Sequence, residues 1–245
     1  MFMFYAPAVL LSPMTILLMA ALIPPFILLV KVYRMDTIEK EPKGLIFRLV
    51  LAGALTVIPA GFLEGIGIGS VLTPLVGKEN IYLYNFLQYF LVVGIAEEGV
   101  KHFALRKITW NSPEFNYRFD AVVYAVSVSL GFAAAENISY VFSYGLSVAL
   151  VRAVTSIPGH AIFGIYMGYY YGMARWARNR GDRAAGSHYM RMSMIVPVLL
   201  HGAYDFCASS RNSVLALCFY IYIILLDIAA FREVKKLSRE DTYID

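Results

Sequence analysis

Long apolar runs recur along the chain, separated by connections too short to hold a soluble domain. A helix needs ~20 residues to cross ~30 Å of hydrocarbon. Runs of that order predict seven membrane-spanning helices, at about residues 7–30, 45–70, 81–104, 119–143, 146–174, 192–209 and 213–231. The connections at 31–43, 71–80, 105–118, 175–191 and the tail from 232 collect the charged and turn-forming residues. The pattern predicts an all-α polytopic bundle, a single integral membrane unit over residues 1–245 with no internal repeat.

Composition and charge sharpen that picture. Hydrophobic residues make up 59% of the chain and charged residues 16%, more apolar surface than a water-soluble fold hides. The basic residues are not scattered. Lys31, Arg34, Lys40 and Lys43, then Arg106, Lys107 and Arg118, then Arg175, Arg178, Arg180, Arg183 and Arg191, then Arg232, Lys235 and Lys236 fall on alternate connections, whereas only Lys78 and Arg211 lie on the others. The positive-inside rule then predicts an amino terminus outside the cell membrane and a cytoplasmic carboxyl terminus. No Lys or Arg precedes the first span, which reads as an uncleaved anchor rather than a signal peptide. Topology and anionic lipid account for the net charge of +4, so no nucleic-acid partner is implied. Cys207 and Cys218 have no metal-ligand spacing and read as packing residues.

Against this apolar background, several ionisable residues sit inside the spans. Each charge at the bilayer centre costs about 2.5–3.5 kcal/mol on the insertion scale, while a Leu or Val returns only about 0.3–0.6. The third span nevertheless contains Glu97, Glu98 and Lys101; Glu97 and Lys101 are i and i+4 on one helical face, with Glu98 about 100° away. The fourth holds Glu136 and Asn137 behind a run of alanines that admits a close helix neighbour. The fifth holds Arg152 and then His160, beside Pro158, which is expected to kink the helix. The sixth holds His201 and Asp205, one turn apart. Taken singly, each has a structural alternative: an interfacial ion pair, an interhelical hydrogen bond or a packed imidazole. Together they supply carboxylates and imidazoles from four spans, and span counting puts Glu97, His160 and His201 at comparable depth, with Glu136 and Asp205 nearer the outer face. Groups of this kind converging in a wet cavity activate water, either directly or through a metal.

The order Glu97-Glu98-x-x-Lys101, Phe132-x-x-x-Glu136, His160 and His201-x-x-x-Asp205 on successive helices resembles the PrsW family of membrane proteases, over most of the chain. Phe119-Asp120, Arg152 upstream of Pro158-Gly159-His160, and the acidic stretch Asp36 to Pro42 are also similar to the family pattern, though the acidic loop here has one proline. The resemblance implies an intramembrane endopeptidase, related to the prenyl-protein proteases, that makes the first cut in a membrane-anchored protein, an anti-sigma factor of a stress response.

Two versions of the chemistry stay open at this point. In one, Glu97 deprotonates water, Glu98 or Glu136 orients it, Lys101 tunes the pair, His201 and Asp205 hold the oxyanion, and His160 supports the water. In the other, zinc is held by His160, His201 and a carboxylate from Glu136 or Asp205, with Glu97 as base. Arg152 is expected to pair with Glu136 or Asp205, and Asn137, Tyr124 and Tyr204 to give supporting hydrogen bonds. His102 is expected at the interface, and His188 is given no role. The competing function is a proton- or ion-coupled transporter that uses the same residues as a relay, although the spans show no inverted halves.

Overall fold

A computed structural model describes residues 12–210 and 212–244. Among the described residues eight helices follow one another: α1 Pro13–Met35, α2 Lys43–Val76, α3 over 81–109, α4 Asp120–Tyr144, α5 Leu146–Val154, α6 Ser156–Asn179, α7 Arg183–Ala208 and α8 Ser213–Arg239. Among the described residues there is no strand, only an isolated bridge between Tyr117 and Tyr243. The beginning of the expected first span, at residues 7–11, and Arg211 lie outside the described residues.

Among the described residues five segments are long and apolar enough to cross a membrane: α1, α2, α4, α5 with α6 (Leu146–Asn179), and α8. The expected spans at 81–104 and 192–209 are helical too, within α3 and α7, but both carry more polar residues and are not among the five. Span ends also move. The expected 192–209 helix begins at Arg183, where Asp182 caps it by accepting the Ala185 amide at 2.9 Å. The tail expected from 232 stays helical to Arg239.

The expected fifth span is two helices. The break falls at Thr155, with φ −123° and ψ −74°, rather than at Pro158 itself. Pro158 is the third residue of α6, in the first turn, where a missing backbone donor removes no helical bond. The proline thus starts a helix instead of bending one. Gly145, alone between α4 and α5, turns the chain with φ +85°, a conformation a side chain would resist.

The core is built around α4. Its sequence offers small or apolar residues on every side, and 78% of its most hydropathic window is buried, against 11% for α1 and for α8. Helices α1, α2, α3, α5 and α6 all pack on it. Glycines set how closely they approach. A Cβ on Gly53 of α2 would lie 1.9 Å from the Val128 carbonyl oxygen of α4, and one on Gly131 of α4 would lie 2.1 Å from that of Val50 on α2. On α6, Gly164, Gly168 and Gly172, one turn apart, meet α4 or the residues just before it in the same way. Large apolar side chains point outward instead, among them Ile58, Phe62 and Leu75, more than two-thirds exposed, as a lipid-facing surface requires.

At one end of the bundle the connection 36–42, residues 110–119 and the tail are tied together. Asn116 Nδ2 donates to Glu39 Oε2 at 3.1 Å, the Arg118 amide to the Thr242 carbonyl at 3.1 Å, and Arg180 to the Ile244 carbonyl at 3.0 Å. The connections rich in Lys and Arg therefore share one face. Burial pushes the Asp36 carboxyl there up to about 6 and that of Glu41 up to about 7.

Because the Gly131 contact is backbone against backbone, Gly131→Val forces α2 and α4 apart. The expected loss is at least about 1–3 kcal/mol of stability, from overpacking alone. It should appear as a lower unfolding midpoint in detergent, while Gly61→Val, where nothing lies within 4 Å, should leave that midpoint unchanged.

Candidate active site

The helix α3 is α-helical from Gly94 and brings Glu97, Glu98 and Lys101 to its inner side, all buried. Lys101 is the hub. Its Nζ lies 2.8 Å from Glu98 Oε1, 3.1 Å from Glu97 Oε2 and 3.2 Å from His160 Nδ1, and it sits 3.9 Å from the centroid of the Phe132 ring. The expectation that Glu98 turns away from the Glu97–Lys101 pair is corrected here: the four-carbon stem lets one ammonium reach both carboxylates, at i−3 and i−4.

His201 comes from α7 and faces carboxylates with both nitrogens. Nδ1 is 2.8 Å from Glu98 Oε1, while Nε2 is 3.3 Å from Asp205 Oδ2 and 3.9 Å from Glu97 Oε2. Phe163 stacks on the ring at 4.9 Å between centroids and 20° between planes, which limits its rotation. The His160 ring lies edge-on to it, with centroids 5.4 Å apart. Lys101 has protons only to give, so His160 Nδ1 accepts. The ring proton then resides on Nε2, which donates to Glu136 Oε2 at 3.1 Å. The backbone of His160 is fixed as well, its carbonyl accepting from Ser129 Oγ of α4 at 2.6 Å.

Arg152, just before the Thr155 break, holds the far side of Glu136. Its guanidinium donates to Glu136 Oε2 at 2.7 Å and to Asn137 Oδ1 at 2.9 Å, and Asn137 Nδ2 donates in turn to the Ala21 carbonyl of α1 at 2.9 Å. Of the two partners expected for Arg152, the structure gives Glu136. Asp205 instead meets His201.

These groups line a cavity of about 690 Å³. Glu97, Glu136, His160, His201, Asp205 and Arg152 all reach its wall, together with Tyr204. Glu64 of α2 is there too, a carboxylate the sequence reading passed over. Its signal was available, since Glu64 is the one charge in an otherwise apolar stretch of the second predicted span. Three irregularities of the helices nearby open on the same cavity: Ile68 from the π-helical turns at Gly67–Leu72, Gln88, Tyr89 and Val93 from those at Gln88–Val93, and Thr155 at the break.

Other histidines and tyrosines fall elsewhere. His102, expected at the interface, is buried and bonds through Nε2 to Ser193 Oγ of α7 at 2.8 Å. Tyr124 is remote from the cavity and donates to Glu41 Oε2 at 2.6 Å.

Glu97, Glu98 and His201 each bring a ligand atom within 4.8 Å of the others. Glu98 Oε2, sealed from solvent, has no hydrogen-bond partner, so a buried acceptor in this cluster is left for a cation. Carboxylate and imidazole donors suit zinc, and the set fits a catalytic site with three protein ligands. This is not the set expected from spacing, in which His160 and a carboxylate from Glu136 or Asp205 join His201; the ammonium of Lys101 stands between its two carboxylates.

Buried carboxylates and imidazoles around a cavity within apolar helices define a membrane-embedded hydrolase. The family model described as PrsW family intramembrane metalloprotease matches residues 41–230. The chain is 33% identical to Protease PrsW of Shouchella clausii, over 92% of this chain and 99% of that one, and 34% identical to Protease PrsW of Oceanobacillus iheyensis, over 94% and 99%. Protease PrsW of Bacillus subtilis is 34% identical, over 79% and 83%. No solved structure matches. The chain therefore belongs to the PrsW family: it is a multi-pass intramembrane protease whose substrates are membrane proteins.

If Lys101 is what holds two carboxylates inside the bundle, Lys101→Met should cost about 3–5 kcal/mol, the penalty of orphaning buried charge. Neutralising its partners in the same chain, Glu97→Gln with Glu98→Gln and Lys101→Met, should restore much of the loss. Thermal unfolding of wild type, single variant and triple variant in detergent checks this; equal destabilisation by the single and triple variants would contradict it.

Proposed function

We propose that this protease cuts a single-span protein within the bilayer at a centre formed by Glu97, Glu98 and His201, with Glu136 and His160 facing it, and that its substrate is an anti-sigma factor. The observation that carries the reading is the convergence of Glu97, Glu98 and His201 within 4.8 Å, with Glu97 and His201 at the wall of a cavity between apolar helices. The anti-sigma substrate rests on family resemblance. The topology that goes with it has seven spans, with the amino terminus outside and the basic face of the bundle in the cytoplasm, supported by the shared face of the Lys- and Arg-rich connections.

A zinc ion held by Glu97, Glu98 and His201 would supply Lewis-acid polarisation and lower the pKa of bound water. The remaining work belongs to the chain. Glu98, with no exposed surface, fixes the His201 ring through Nδ1 and presents Nε2 to the cavity. Glu136 has Oε2 engaged by Arg152 and His160, and its Oε1 takes the proton of the attacking water. His160, protonated on Nε2 because Lys101 occupies Nδ1, steadies Glu136 and stands beside the developing oxyanion. Glu136 then returns the water's proton to the leaving amine, while Asp205, 3.3 Å from His201 Nε2, helps hold the ring in place. The transporter alternative is not favoured, because the family is one of proteases.

Cleavage of a single-span substrate in liposomes tests the assignment. Glu97→Gln, Glu98→Gln, His201→Ala and Glu136→Gln should each lower the rate by about 10²–10⁴-fold, the range for losing a catalytic acid or base. Chelation should abolish cutting and zinc should restore it. Full activity in metal-free protein would remove the zinc version and return the work to Glu97 alone; unchanged cutting by all four variants would remove the centre itself.

A further inference from the structure

A second group of carboxylates lies outside the cavity, at the end of the bundle where α1 finishes and α4 begins. Asp36 is the C-cap of α1, Glu41 closes the connection to α2, and Asp120 is the first residue of α4. Their exposures are 1%, 3% and 1%, and each contributes an oxygen within 4.8 Å of the others.

Glu41 and Asp120 face each other, and their other partners are neutral. Glu41 Oε2 accepts from the Tyr124 hydroxyl at 2.6 Å, and Asp120 Oδ2 accepts the amides of Asn116 at 3.0 Å and Tyr117 at 2.6 Å. Among the described residues none of the three makes an ion pair. The adjacent Lys40 turns its ammonium to the carbonyls of Tyr33 and Arg34, at 3.1 and 3.3 Å. Asp36 adds an independent sign: its Oδ2 is sealed from solvent and has no hydrogen-bond partner. A buried carboxylate oxygen without a hydrogen bond stands beside two further carboxylates, and among the described residues the nearby Lys40 acts on Asp36 only from beyond ion-pair distance.

We propose that Asp36, Glu41 and Asp120 form a binding site for a hard divalent cation, Mg²⁺ or Ca²⁺, separate from the proteolytic centre. The donor set is all oxygen, with no His or Cys, which selects hard ions over zinc. Three carboxylates leave further coordination positions to water, as both ions accept. The bound ion fastens the 36–42 connection to the start of α4. It adds to the clasp in which the Phe119 amide donates to Asp241 Oδ1 at 2.9 Å. Because α4 carries Glu136 further along, the ion steadies the helix that positions one half of the active site.

Terbium luminescence on the full-length chain, purified in detergent and stripped with a chelator, tests the site. Tb³⁺ bound here lies beside Tyr124, whose ring sensitises its emission. Emission is expected from the wild type and from a Glu97→Gln/Glu98→Gln/His201→Ala protein alike, and should be lost in Asp36→Asn. Displacement by CaCl₂ but not MgCl₂ would assign Ca²⁺; displacement by both at similar concentrations would assign a site open to Mg²⁺. A second readout needs no variant: trypsin cleavage of the wild type after Lys40 and Lys43 should slow when either salt is added to stripped protein. Emission that survives Asp36→Asn, or that disappears only with the active-site substitutions, overturns the proposal. So does a trypsin rate indifferent to both salts.

Discussion

One buried ammonium organises this protein's interior. Lys101 bridges Glu97 and Glu98 and reaches His160, so a single side chain of α3 determines the charge balance of the cluster and the proton position on an imidazole of α6. In a bundle without water to screen them, two adjacent carboxylates without that cation would repel each other strongly, and one would have to be neutralised. With it, Glu98 is held rigidly enough to orient His201, and His160 is turned to orient Glu136. The Arg152–Asn137 pair repeats the device on the other side: a cation inside the fold places a carboxylate, and an amide ties the pair to α1 through the Ala21 carbonyl.

Such short polar distances require helices that approach closely, and that is the role of the small residues. Gly131 lies two residues before the alanines that precede Glu136, and the Gly164, Gly168 and Gly172 row follows His160 along α6. Bringing α2 and α6 against α4 through glycine faces draws the backbones together without filling the space that the imidazoles need. Apolar bulk is placed outward, on α1, α2 and α8, where lipid is the partner.

The helical class, the apolar segments and the four polar clusters were legible in the sequence because charge inside a hydrophobic run is a strong signal. Which cluster residue meets which was only partly legible. Arg152 with Glu136 and His201 with Asp205 follow from spacing and sign. The meeting of Lys101 with His160, 59 positions away, does not, because it depends on how α3 and α6 cross. The same holds for the carboxylate set around His201, where long flexible side chains undo the angular reasoning that separated Glu98 from Lys101. Glu64 was missed for a different reason: it is the one carboxylate of its helix, and a lone carboxylate in a span reads as noise until a cavity is seen beside it. The acidic group of Asp36, Glu41 and Asp120 was out of reach as well, since 79 residues separate Glu41 from Asp120 in the chain.

The irregular turns of α2 and α3 and the break between α5 and α6 show how a water-using site is kept inside an apolar bundle. Each loosens the regular hydrogen bonding of a helix, which lipid would penalise by several kcal/mol per unsatisfied group. All three instead open on the one large polar cavity, at Ile68, at Gln88 to Val93 and at Thr155, where water can satisfy the freed groups. These three irregularities therefore lie where hydrolysis needs water. A π-helical turn also widens a helix by an extra residue, which rotates the residues beyond it. In α3 that turn ends at Val93, immediately before the α-helical stretch that carries Glu97, Glu98 and Lys101, so the same distortion that admits water also sets the face on which the three charges meet.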